Sequence, residues 1–213
     1  MYRVLISPDL LERVIFPISE IHGSRNTVFE FCEYEPHRKY EKQAQTLHKV
    51  PATDVEKWVE RSTRSLRFGF ELGLSSRVFL TNAHDLKMHI PMLDLKGTQQ
   101  SGIAAINSFL QGEMPQAGHF SWFASGRSFH AYGDQLLDEA CWERFLGCLI
   151  LLGTASNSPV PDIRWIGHRL KDGFCCLRLT NNSNRFKRVP ALLTNVSLYR
   201  REIRHSSKEE FVN

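Results

Sequence analysis

His119–Gly133 reads HFSWFASGRSFHAYG. Two aromatic-rich runs, "HFSWFA" and "RSFHAY", flank Ser125-Gly126, a pair suited to a tight turn, so the stretch reads as a β-hairpin. On its second strand Ser128 and His130 lie two residues apart and share one face, while Phe129 and Ala131 take the other. A strand that is polar on one side and apolar on the other belongs to a sheet with one packed and one open side.

The same alternation recurs on either side of the hairpin. Upstream, "KMHIPMLDLKG" reads as a strand ended by Gly97, with Asp94 and Lys96 on one face and Leu93 and Leu95 behind. Downstream, "DIRWIGHRL" and "FCCLRLT" bracket Lys171-Asp172-Gly173, a further hairpin signal. There Asp162 and Arg164 share a face backed by Ile163 and Trp165, and Arg178 and Thr180 share one backed by Leu177 and Leu179. The short runs "YRVLI", "NTVFEFCEY" and "SRVFL" also read as strands. Thr53 with Glu56 forms a capping box for a helix through Val55, Trp58, Val59, Leu66 and Phe70. Ile103, Ile106 and Leu110 make an apolar stripe on a second helix over 98–111. "DQLLDEACWERFLGCLILLG" is the clearest helix, with Asp134 as its cap and Gly153 as its stop. This mixture predicts an α+β or α/β sandwich with an exposed sheet face and its polar residues near strand ends.

A length of 213 residues suits one generous domain, and 42% hydrophobic with 23% charged residues is ordinary globular composition. The longest apolar run, "FLGCLILLG", falls short of the roughly 20 residues of a membrane span. "MYRVLISPDLLERVIF" is broken by charge and lacks a cleavage pattern, so the expectation is a soluble, cytoplasmic protein with no membrane partner. Five cysteines without metal spacing point to a reducing compartment and away from structural zinc. The net charge of +4 is concentrated late, where Arg185, Lys187, Arg188, Arg200, Arg201 and Arg204 face the single acid Glu202. Such a cluster suits a polyanionic partner.

If the three polar faces coincide, they bring together two carboxylates, a hydroxyl, an imidazole and several guanidiniums. Carboxylates are hard ligands for Mg²⁺ or Mn²⁺, and the remaining groups are donors for phosphate oxygens. The expected ligand is a nucleotide triphosphate or a nucleic-acid backbone.

In this order the three pieces resemble the archaeo-eukaryotic primase superfamily, the primase-polymerases. "MLDLK" looks like its first acidic element, "SGRSFH" like its small-x-His element, and "PDIRWIGHRLKDGFCCLRLT" like its third acid and basic hairpin, over roughly Val78 to Pro190. The resemblance implies an α/β module joined to an RNA-recognition-like sheet with helices on one side, and nucleotidyl transfer in the cleft between them. It implies that Asp94 and Asp162 bind Mg²⁺ or Mn²⁺ and carry catalysis. Ser128, His130, Lys96, Arg127 and Arg178 would contact the incoming nucleotide, and Arg185, Lys187 and Arg188 the DNA or RNA. One departure stands out: Lys96 replaces the second acid of the first element, about 7 Å along the strand from Asp94, or, under the other register, Met92 replaces the first acid.

The expected layout is an N-terminal α/β segment, 1–75, packed on a primase-like core, 76–204, with a flexible tail, 205–213. The leading functional expectation is a primase-polymerase-like protein acting in replication, repair or defence. The alternative, favoured by Lys96, is an inactive nucleic-acid-binding subunit working with a protein partner encoded beside it. A metal-dependent nuclease is a weaker reading of "LDLK", because it needs a preceding acid such as Asp9 or Asp85 and leaves Ser128 and His130 idle. Accidental motifs on an interaction protein complete the set; in that case Asp94, His130 and Asp162 would lie on different surfaces.

Overall fold

The computed structural model describes residues 6–194 apart from 37, 39–44, 84–85, 98–101, 127, 156–159, 184 and 187. Arg127, Lys187 and the predicted tail therefore lie outside the described residues, as does most of "YRVLI". The described chain enters as helix: α1 (Pro8–Leu10) and α2 (Phe16–His22), joined by a π-helical turn, Leu11–Ile15.

Two antiparallel sheets follow. The first joins β1 (Thr27–Tyr34), β2 (Gln45–Pro51), β3 (Glu71–Leu80) and β4 (Leu86–His89) in the order β2-β1-β3-β4. A short strand, β9 (Cys176–Arg178), pairs the first half of β3 while β4 pairs the second. Gly73 lets β9 lie flush, since a Cβ there would sit 2.5 Å from Cys176 Sγ. Phe31 leaves this sheet on its outer side and meets Trp58 of helix α3 (Val55–Ser65) with ring centroids 4.8 Å apart. The predicted capping box at Thr53 is corrected here. Ala52–Asp54 is a 3₁₀ turn, and Asp54 precedes α3 without a side-chain cap bond.

The second sheet holds β5 (Met92–Lys96), β6 (Phe120–Ala124), β7 (Ser128–Gly133), β8 (Val160–Pro161) and β10 (Ala191–Leu192), in the order β10-β6-β7-β5-β8. The hairpin of the opening stretch is present as β6 and β7, closed by Ser125 N–H on Ser128 O at 2.9 Å. "KMHIPMLDLKG", by contrast, is not one strand. Pro91 lacks the N–H a ladder needs, and the chain breaks at Ile90-Pro91 to pass from the first sheet to the second. The crossing is stitched by Ile90 N–H to Ser76 O at 2.7 Å and Gly133 N–H to Pro91 O at 2.8 Å.

One face of the second sheet carries Leu93, Leu95, Phe129, Ala131 and Trp122, all buried. It packs on α4 (Ile103–Glu113) and α5 (Glu139–Ala155): Trp122 Nε1 donates to Asn107 Oδ1 at 3.0 Å, and Phe120 stacks on Phe145. On α5, Trp142, Phe145, Leu146 and Leu149 are buried at helical spacing, each contributing roughly 2 kcal/mol of transfer free energy. The helix begins later than expected. Asp138 Oδ1 accepts from Cys141 N–H, whereas Asp134 instead holds His119 N–H, and Gly153 lies inside the helix.

The largest correction concerns "DIRWIGHRLKDG". It is helix α6 (Ile163–Asp172), neither a strand nor a hairpin. Asp162 is its N-cap, its Oδ1 accepting from Trp165 N–H, and Gly173 at φ 74° closes it, its N–H bonded to Arg169 O. Trp165, Ile166 and Arg169 are buried on one helical stripe while Ile163 is exposed, so the strand pairing of Asp162 with Arg164 does not exist. The expected α+β class holds, with helices against one face of the second sheet.

Candidate functional site

The polar face of the second sheet does not open to solvent as the alternation predicts; it looks across a cleft toward the first sheet. Register alone assembles the site. Asp94 pairs His130 and Lys96 pairs Ser128 across β5 and β7. On the other side of β5, Lys96 pairs Val160, and Asp162 N–H donates to Asp94 O at 3.0 Å. Residues 94, 130 and 162, remote in sequence, thus sit on neighbouring backbone.

Two cavities occupy the cleft and share Ser125, Ser128 and Phe186. The inner one, about 110 Å³, is lined by Asp94 and His130 from the second sheet, Tyr34, Cys32 and Arg178 from the first, and Trp165 and Arg169 from α6. The outer one, about 860 Å³, adds Lys96, Arg185 and Arg188. Among the described lining residues, five are cationic (Lys96, Arg169, Arg178, Arg185 and Arg188) and only Asp94 is acidic.

Each predicted residue has a definite setting. His130 is buried, with Nε2 3.9 Å from Asp94 Oδ1. Ser128 Oγ lies 2.8 Å from Ser125 Oγ across the turn. Lys96 Nζ makes a 2.8 Å ion pair with Asp162 Oδ1, the same oxygen that caps α6. Asp162 itself lines neither cavity. Arg178 lines the inner cavity, but its guanidinium donates to three backbone carbonyls: Ser125 O and Arg188 O at 3.0 Å each, and Thr180 O. It also lies 4.0 Å from the centre of the Phe186 ring. Burial lowers its pKa, with Tyr34 and Glu71 opposing that shift. Arg178 thus ties the β6–β7 turn to the basic segment that carries Arg185 and Arg188.

The segment is anchored at its other end by Glu71, a fully buried carboxylate. It accepts from Asn182 N–H at 3.1 Å, Ser183 N–H at 2.8 Å, Ser183 Oγ at 2.6 Å and the Thr180 hydroxyl.

Sequence reasoning missed Arg169, Tyr34 and Phe186. Arg169 was hidden by reading α6 as a strand; at helical spacing from Asp162 and Trp165 it belongs to the same stripe. Phe186 was visible as the lone aromatic within "NRFKR", the pattern of bases with an interleaved ring. Tyr34 comes from the N-terminal strands, where no motif marks it.

The divalent-cation centre that the resemblance implies was tested on the donor set. Asp162 is held by Lys96 and by the α6 amide, and no group of three or more His, Cys, Asp or Glu side chains among the described residues is arranged to hold a metal ion. These residues do not fit a two-cation carboxylate centre.

No helix among the described residues is long and apolar enough to cross a membrane. A family model described as archaeo-eukaryotic primase 1D-like matches residues 51–191, well over half of the 213. No curated protein and no solved structure matches the chain.

Proposed function

The chain belongs to the archaeo-eukaryotic primase-like family, and from that premise we propose that its cleft binds the polyphosphate of a nucleotide and the backbone of DNA or RNA. The supporting observation is the cationic lining of the two joined cavities, where Arg178, Arg185 and Arg188 stand beside Lys96 and Arg169, whose charges are met by Asp162 and Asp172. Phosphate is the anion that guanidinium and ammonium donors recognise best, and a low-dielectric cleft focuses their field. The outer cavity, about 860 Å³, is large enough for a nucleotide, since small-molecule and cofactor pockets commonly measure about 300–1,000 Å³. The inner one has room for a phosphate or a few waters. His130 and Ser128 face the phosphate chain in this reading, Arg185 and Arg188 follow the strand, and Arg178 holds the segment that presents them. All five cysteines are free thiols, which suits the reducing cytoplasm.

Titration of labelled single-stranded DNA and RNA at increasing salt tests the proposal. Binding is expected to weaken linearly in log–log form, and Arg188→Ala is expected to reduce the slope by about 1. Affinity that is indifferent to salt, or no binding to either strand, would overturn it.

A second reading, nucleotidyl transfer to a 3′-hydroxyl, is favoured by the convergence of Asp94, His130 and Asp162 on adjacent backbone. It predicts strand extension from nucleotides that Asp94→Asn abolishes while nucleotide binding persists. Absence of product across templates and metals leaves the binding protein alone.

A further inference from the structure

We infer that Lys96 is a built-in substitute for a divalent cation, so that the cleft takes a metal-free polyphosphate. The inference rests on the binding reading above and deepens it. Lys96 is fixed on β5, an interior strand of its sheet, with β7 on one side and β8 on the other. Its ammonium lies 2.8 Å from Asp162 Oδ1, while its side chain is 61% exposed and lines the outer cavity with Arg185, Arg188 and Ser128. One charge therefore does two things that a bridging cation would do: it neutralises Asp162 and still offers donors to a phosphate. An ammonium has three donors, and the ion pair with Asp162 leaves room for others.

The same placement opposes a metal. A divalent ion near Asp94 would meet the positive charge of Lys96 two residues along the same strand face, and one at Asp162 would meet the ammonium 2.8 Å from its Oδ1. The described residues supply no three-ligand group to offset that repulsion. A triphosphate carrying Mg²⁺ also brings less negative charge to the cationic lining of the cleft than the bare triphosphate does. Metal should thus leave nucleotide affinity unchanged or weaken it.

Calorimetric titration of the full chain with a nucleoside triphosphate, once in EDTA and once in excess Mg²⁺, tests this. The expected result is affinity in EDTA at least equal to that in Mg²⁺. Lys96→Met, which keeps the stem and removes the charge, is expected to lower the EDTA affinity by about tenfold, the usual worth of a charge-assisted hydrogen bond. Circular dichroism verifies that this exposed position leaves the fold intact. Binding of the unmodified chain that is tighter with Mg²⁺ than in EDTA overturns the inference and leaves the polyphosphate reading standing. An unchanged affinity in Lys96→Met also overturns it. No binding in either buffer instead overturns the polyphosphate reading itself.

Discussion

His89 shows what a single residue contributes away from the cleft. It ends β4 where the chain crosses between sheets, fully buried, with its ring stacked on Trp142 at 4.4 Å and Nδ1 3.1 Å from Ser76 Oγ. Burial drives its pKa from 6.5 down to about 4; Glu139 pulls the other way, and Lys87 and Arg77 add to the depression. The ring is thus neutral in the folded chain at pH values where the unfolded chain is already protonated. Its contribution is complete above pH 6.5 and disappears as pH falls toward 4, amounting to about 3 kcal/mol at most. Urea unfolding across this window should show a falling stability that His89→Phe largely removes. That variant retains the stack on Trp142 and is expected to lose about 1 kcal/mol at neutral pH with the Ser76 bond. Parallel pH profiles for the two proteins would show that the acid sensitivity lies elsewhere.

At the scale of elements, the basic segment after β9 depends on two buried charges of opposite sign. Glu71 holds its start through Thr180, Asn182 and Ser183, and Arg178 holds its middle through Thr180 O and Arg188 O. Truncation of either leaves several buried donors or carbonyls without partners, so Glu71→Ala is expected to destabilise by about 3–5 kcal/mol. Glu71→Gln keeps one acceptor oxygen and should lose less. Both are expected to weaken binding of single strands, because Arg185 and Arg188 are no longer presented together. If nucleic-acid affinity is unaffected in the milder variant while its stability drops, the segment does not form the binding surface. β5 and β7 were legible in sequence because apolar and polar residues alternate along them, and β7 also because a short turn joins it to β6. α6 was not legible. Over four residues Ile163 and Trp165 fit a strand as well as a helix, and an Asp-Gly pair can close a hairpin or follow a helix end. The choice is tertiary: burial of Trp165, Ile166 and Arg169 on one side requires the helical period. The partnership of Lys96 with Asp162 was hidden for the same reason. The strand reading set Lys96 beside Asp94 and Asp162 beside Arg164 on separate strands, and gave no hint that β8 would lie directly beside β5.

For the whole molecule, the cleft belongs to neither sheet alone, and this couples ligand to stability. Its lining draws on β1 and β9 from the first sheet, β5 and β7 from the second, and α6 and the basic segment between them. Unfolding of either sheet dismantles the site, so a ligand bound there opposes both. By mass action a ligand at a hundred times its dissociation constant stabilises the folded chain by about 2.7 kcal/mol. For a chain of this length about 1 kcal/mol corresponds to roughly 2–4 °C. A nucleoside triphosphate at that excess should therefore raise Tm by about 5–10 °C, with inorganic triphosphate giving a similar rise if the phosphate chain dominates recognition. The shift should fall with added salt, since the cleft attracts through charge, and should diminish in Arg188→Ala. A salt-insensitive rise would place recognition in the base or sugar instead. A Tm that stays fixed at saturating ligand would show that these cations, though gathered between the two sheets, do not hold a polyphosphate.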